Sequence, residues 1–370
     1  MKFLFYTHSL VSDWNHGNAH FLRGVMRDLA IRGHDASALE PADGWSRNNL
    51  VAEHGVEPLD AFAQTFPELI TRCYDGDFDH EAAVDAADVV IVHEWTDPAL
   101  VARLGRARRQ GAGFTLIFHD THHRAVSADK DMAGLALADF DIILVFGEAL
   151  KERYLSAGWG RSVFTWHEAA DDTLFHPMPE ISKSGDLVWI GNWGDEERSR
   201  EIDGLLVKPA QDLGVKTTVH GVRYPQNALE ALRRAGIEYR GWIANAQVPR
   251  VFAENRMTVH VPRRPYVEDL PGIPTIRVFE ALACGIPLVS APWQDAEGLF
   301  RPGKDFLFAR DRQQMTRHLS DILNDDALAA GLAASGLETI RSRHTCRHRV
   351  DELLSILELN GTARAREAAE

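Results

Sequence analysis

Residues 271–290 hold the densest set of side chains able to do chemistry in this chain. Gly272 and Pro274 shape a loop, and Thr275 stands where a helix N-cap is expected. The first N–H groups of such a helix lack helical partners, and with the helix dipole they attract an anion. Arg277 adds positive charge in the first turn, where a helix disfavours a cation unless an anionic ligand answers it. Glu280 follows on the next turn and is suited to accept hydrogen bonds from vicinal hydroxyls. A diphosphate with a ribose beside it fits these residue types. A solvated Arg277–Glu280 (i, i+3) pair, worth roughly 0.2–0.5 kcal/mol, accounts for the same two residues. From the residues alone both readings stay open.

A second group is rich in histidine. His119, Asp120, His122 and His123 cluster at one expected strand end, His93-Glu94-Trp95 at another and His8 at the first. Trp14, His16, Gly17 and Asn18 fall in the loop after the first strand. His119-x-x-His122 with Asp120 could be metal ligation, but spacing fixes no further ligand, and no metal is expected. Asp75-Gly-Asp77 and Asp129-Lys-Asp131 follow no convincing strand and read as loop charges.

The elements that must position these groups alternate strand with helix. Strands are expected at 2–8, 35–39, 87–94, 115–119, 141–146 and 163–166, with helices at 19–31, 97–110 and 148–157. Gly33 suits a left-handed C-cap for the first helix. Such alternation predicts a doubly wound parallel sheet. Residues 176–185 are rich in Pro and polar side chains and read as a linker. The pattern restarts with strands at 186–190, 216–221, 237–241, 257–261 and 286–290 and helices at 196–213, 227–235, 245–255 and 275–284, then helices to 359. The chain is therefore expected to be α/β, with two Rossmann-like domains facing across a cleft. The first domain would span 1–175 and the second 183–340, with a helix at 341–359 crossing back and a flexible tail at 360–370. Ligands of open α/β sheets bind outside the carboxyl ends of the strands.

Composition narrows the class. The 370 residues suit two domains, and 45% hydrophobic with 25% charged residues is ordinary for a globular chain. Cys73, Cys284 and Cys346 have neither metal-ligand nor disulfide spacing, so a cytoplasmic location is expected. No run approaches the ~18 apolar residues of a membrane span. Forty basic against 54 acidic residues give −14, so no nucleic acid is expected as a partner.

The segment Glu280-Ala-Leu-Ala-Cys-Gly-Ile-Pro-Leu-Val resembles the nucleotide-sugar signature of GT-B glycosyltransferases. Arg277-Val-Phe-Glu-Ala-Leu-Ala-Cys-Gly285, with His344-Thr-Cys-Arg-His-Arg349, resembles the CgeB-like, spore-maturation-type members. Arg32-Gly33-His34, Ile117-Phe-His-Asp120 and Trp189-Ile-Gly-Asn192 resemble other parts of that superfamily. The resemblance is strongest from about 274 to 350. It implies that Glu280 binds the ribose, and that the backbone N–H groups of the stretch from Ile273 to Ile276, after Gly272 and across Pro274, hold the diphosphate with Arg277. It implies phosphate approach at Gly191 and Asn192, added charge from Arg198, Arg263 and Arg264, and a base pocket at Trp242. Two adjacent arginines also suit a solvated turn, and Trp242 a core position. One departure stands out: the first glutamate of the retaining motif would fall at Gly272, and Glu268 or Asp269 could supply that carboxylate instead.

The activity so implied moves a sugar from a UDP-, GDP- or dTDP-sugar to an acceptor hydroxyl on a glycan, a lipid-linked sugar, a protein or a small molecule. It would be a retaining, metal-independent hexosyl transfer with no bound cofactor. His119 would contact the sugar or acceptor, and Asp120 would be the base if the enzyme inverts. Arg277 would stabilise the leaving phosphate. The alternatives are an epimerase or phosphorylase on the same fold, or a non-catalytic nucleotide-sugar-binding or structural envelope protein.

Overall fold

Seven short strands build the first sheet in this computed structural model, which describes residues 1–194 and 197–367, with side chains described to 361. They are Lys2–Tyr6 (β1), Asp35–Pro41 (β2), Ile70–Tyr74 (β3), Val89–His93 (β4), Thr115–Asp120 (β5), Ile142–Val145 (β6) and Val163–Thr165 (β7). Their order is β3-β2-β1-β4-β5-β6-β7, all parallel. Helical crossovers cover both faces, so a central strand such as β4, Val-Val-Ile-Val-His, is buried throughout.

Six more strands form the second sheet: Gly185–Ile190 (β8), Thr217–His220 (β9), Glu238–Tyr239 (β10), Asn255–His260 (β11), Leu288–Ser290 (β12) and Leu307–Phe308 (β13). Their order is β10-β9-β8-β11-β12-β13, again parallel. A continuous core that includes Leu187, Trp189, Val219, Met257, Val259 and Val289 fills the second unit. In each sheet the strand order reverses beside the first strand, at β1/β4 and at β8/β11. Those switch points open a crevice outside the strand ends.

The chain divides into two compact units. One comprises Met1–Glu168 with the chain from Cys346 onward, and the other Ala169–Thr345. The Pro-rich stretch expected as a linker thus falls with the second unit. The long helix Cys346–Glu367 falls with the first. There it is held by Trp166 Nε1 donating to the Arg349 carbonyl at 2.7 Å and by Arg32, which reaches Asp351 and the Arg347 carbonyl. The residues expected as a tail are helical to Glu367, and the remainder lie outside the described residues. The strands β3 and β13 went unexpected, as did the helices Trp45–His54 and Glu57–Thr65 that precede β3.

Candidate functional site

In the second unit the loop 271–275 leads into the helix Ile276–Ala283, which is buried along its length except at Arg277. Gly272 has φ +94, and its N–H donates to the Gln294 carbonyl at 2.6 Å. Pro274 has no N–H at all, and the Ile273 N–H turns back to the Leu270 carbonyl at 3.4 Å. Of the four residues expected to supply amides, Thr275 and Ile276 remain suited to do so. They lie at the helix start, with Arg277 beside them.

Arg277 and Glu280 form an ion pair. It differs from a solvated surface pair, because the Glu280 side chain is fully buried and Arg277 is only 16% exposed. A guanidinium carries five N–H donors, so one carboxylate leaves it capacity for an anion.

Thr275 does not use its side chain as a cap. Its hydroxyl instead meets His260 Nε2 at 2.9 Å, and His260 Nδ1 meets Ser290 Oγ at 2.9 Å. His260 therefore ties β11 and β12 to the start of the helix. Burial, with smaller contributions from Arg198 and Arg277, lowers its pKa to about 3, so it is a neutral bridge. Sequence reading missed this residue. Its place at the end of an apolar strand, three residues before Arg263, was the available signal.

The remaining expected ligands of the second unit are mostly engaged by the protein. Arg198 is buried and donates to the carbonyls of Asn192, Trp193 and Val261. It braces the turn after β8 and is not poised as a phosphate ligand. Arg263 pairs with Glu197 at 2.8 Å and Arg264 with Glu201 at 3.0 Å, so both arginines are ion-paired within the unit. The Gly191 N–H donates to the His220 carbonyl, and Asn192 Oδ1 accepts from the Val222 N–H at 2.8 Å. Trp242 is half-buried after Gly241, whose φ is +70. The first-glutamate position is Gly272 itself. A Cβ there would stand 3.2 Å from Glu297 Oε1, so a further carboxylate, Glu297, lies beside this loop in addition to Glu268 and Asp269 just upstream.

In the first unit the strand ends gather the histidines as expected, but most are sealed. Ring centroids run from His8 to His16 at 5.2 Å, to His93 at 6.0 Å and to His119 at 6.0 Å, and His119 meets Trp166 at 4.8 Å. Burial lowers His8 to about 4 and His119 to about 3, and pulls His16 and His93 well down, so these imidazoles are neutral. Neither ring nitrogen of His119 has a hydrogen-bond partner among the described residues.

Asp120, fully buried, accepts from the Tyr154 hydroxyl at 2.7 Å and from the His122 N–H at 3.0 Å. Burial raises it to about 6, and burial with the neighbouring Asp120 charge raises Glu94 well above the carboxylate range. The two carboxyls therefore titrate as a pair. Glu94 Oε1 accepts from the Thr121 N–H at 3.3 Å, and Arg124 donates to the Glu94 carbonyl at 2.8 Å. Among the described residues no three His, Cys, Asp or Glu side chains are placed to hold a metal ion, so His119, Asp120 and His122 do not assemble as one.

Comparison with known proteins gives these sites a setting. Residues 198–355 match a family model described as "Glycosyl transferase-like", less than half of the chain. No curated protein matches the chain in sequence. Solved structures share the fold along nearly the whole length. Anabaena Alr3699/HepE, in complex with UDP and glucose, is 16% identical with a TM-score of 0.68, over 97% of this chain and 99% of that one. An alpha-glucosyltransferase in complex with UDP and a 13-mer DNA is 11% identical with a TM-score of 0.72, over 97% and 99%. A sucrose-phosphate synthase from Thermosynechococcus elongatus is 14% identical with a TM-score of 0.64, over 100% of both. At these identities the likeness establishes the fold, which is GT-B.

Proposed function

We propose that this chain, a GT-B protein with a glycosyl transferase-like segment at 198–355, transfers a sugar from a UDP-sugar to an acceptor hydroxyl. The observation that carries the reading is the buried Arg277–Glu280 pair at the start of helix Ile276–Ala283, inside the matched segment. The UDP and UDP-glucose complexes of structures with this fold support UDP as the first nucleotide to test. The CgeB-like subtype belongs to the same reading, on residues 277–285 and 344–349.

In the proposed reaction the bond between the anomeric carbon and the β-phosphate oxygen breaks as the acceptor oxygen bonds to that carbon. Negative charge grows on the leaving diphosphate. Arg277 and the amides of Thr275 and Ile276 answer it, and Glu280 takes the ribose hydroxyls. Glu297, beside Gly272, is assigned the sugar contact that the missing glutamate would have made. Asp120 is the weaker candidate for a base, since it already holds the Tyr154 hydroxyl and the His122 amide. The leaving phosphate then accepts the acceptor proton, the retaining course. His119 is assigned the sugar or acceptor contact on its two ring nitrogens, which have no hydrogen-bond partner among the described residues. The reading needs no metal and places the protein in the cytoplasm. Among the described residues no helix is long and apolar enough to cross a membrane.

The departure at Gly272 favours one second reading, a nucleotide-sugar binder without chemistry. Calorimetry with UDP, GDP and dTDP, then UDP release from UDP-glucose with and without acceptor, tests both. UDP binding with release only in the presence of acceptor is expected. Binding without any release selects the non-catalytic reading. Glu280→Ala should cost roughly tenfold or more in UDP affinity, the scale of hydrogen bonds to a charged group. Unchanged affinity sinks the ribose assignment.

A further inference from the structure

The first unit contains a cavity of about 820 Å³ at the carboxyl ends of β1 to β4, lined among others by Thr7, Trp45, Tyr74, Glu94, Trp95 and Arg124. Trp45 and Trp95 are each 46% exposed, unusual for side chains that a core would readily take. The Arg124 guanidinium lies 4.3 Å from the centre of one Trp95 ring. Thr7 is 2% exposed, yet its hydroxyl has no hydrogen-bond partner among the described residues. A sealed hydroxyl without a partner calls for a ligand or a water.

The charged lining is lopsided. Asp43, Asp75 and Asp97 contribute three carboxylates, and the fourth carboxyl of the lining, Glu94, is pushed toward its neutral form by burial. Among the described residues none of the three aspartates is ion-paired with a lysine or arginine. Asp43 and Asp97 both lie close enough to Tyr74 for their charges to raise its phenol, which burial has already pushed up, to about 12. The cations are fewer. His8 is lowered to about 4, and burial with Arg103 holds His80 below its ordinary value, so at neutral pH Arg124 is the lining's one formal positive charge. Indole faces suit the apolar faces of sugar rings and attract cations. Carboxylates without a paired cation favour an ammonium group and repel phosphate or uronate.

We propose that this cavity is the acceptor site and that it takes an amino-bearing saccharide, with sugar rings against Trp45 and Trp95, a hydroxyl on Thr7 and the ammonium near Asp43 and Asp97. As an acceptor assignment it rests on the transferase reading. It also separates this chain from the alpha-glucosyltransferase of the same fold solved with DNA, because a polyanion meets the wrong charge here.

The test measures tryptophan fluorescence titrations of the whole protein with three tetramers: glucosamine, N-acetylglucosamine and galacturonic acid. UDP binding is measured on the same sample. The glucosamine tetramer should bind about fivefold more tightly than its acetylated counterpart, the ratio given by ~1 kcal/mol of exposed ion pairing. The advantage should fade at high salt, and the galacturonate should not bind. Asp43→Asn with Asp97→Asn should abolish the preference. Asn caps a helix as well as Asp, so the helix Pro98–Arg109, capped by Asp97, stays in place. Equal binding of amine and acetamide, tighter binding of galacturonate, or no saccharide binding at all overturns the proposal. If UDP still binds in that case, the donor reading survives. If UDP fails while glucosamine binds, the donor reading falls and the saccharide site stands.

Discussion

His119 pairs chemistry with discomfort. Its ring is 1% exposed and neither nitrogen has a partner among the described residues, a state that costs roughly 1–3 kcal/mol for a buried polar atom. His119→Phe fills a similar volume and removes both atoms. The variant should melt at a higher temperature than the wild type at pH 7 and lose most transferase turnover. A gain in stability with unchanged turnover would make His119 purely structural. The residue was legible in sequence as one of several histidines at strand ends, because type and position suffice for that. Its burial was not legible, since it depends on Phe21 and Trp166, which are distant in sequence. The arginines failed for a related reason. Arg198, Arg263 and Arg264 read as cations at a phosphate site, while their partners Glu197, Glu201 and three backbone carbonyls become neighbours only on folding. His260 stayed hidden because a histidine ending an apolar strand looks like core.

At the scale of elements, the turn after β8 and the turn after β9 are pressed together. Gly221 has φ +155, and a Cβ on it would stand 2.2 Å from the Gly191 carbonyl oxygen. Gly221→Ala must therefore separate the two strand ends. It should cost on the order of 2 kcal/mol or more in chemical denaturation of the second unit. UDP affinity should fall with it, because Gly191 and Asn192 would move. A variant of wild-type stability would show that the turns are not in contact. Central strands were legible as unbroken apolar runs, and eleven of the thirteen could be placed to within a few residues. β3 was not, because Ile-Thr-Arg-Cys-Tyr lies at a sheet edge with a mostly exposed face and gives no apolar run. β13, only two residues long, offered no periodicity to read. The switch points were legible once strands and crossovers were ordered, and they locate both candidate sites.

The whole molecule carries an acid sensitivity in its buried histidines. A histidine whose folded pKa is depressed adds stability that is present above its ordinary 6.5 and is lost as pH falls toward the folded value. For His8 and His119 that window runs from about 6.5 down to about 4 and about 3. His16 and His93 act in the same direction. Asp120 acts oppositely. Its pKa is raised from 3.8 to about 6, so its contribution is present at low pH and lost as pH rises through about 6. The histidines outnumber the carboxyl pair, so the first unit should lose stability between pH 6 and 4. His119→Phe should flatten that slope by about 1.4 kcal/mol per pH unit, and Asp120→Asn should steepen it by a similar amount. Denaturant midpoints at pH 4, 5 and 6 measure both, and parallel slopes in all three proteins would refute the assignment. The division of the chain has a further consequence, for synthesis. The first unit leaves off at Glu168 and resumes only at Cys346, whose thiol reaches back to the Phe21 carbonyl. A ribosome therefore delivers every residue of the second unit before the helix that completes the first exists. The nascent second unit can fold first, and the first must wait for its last helix.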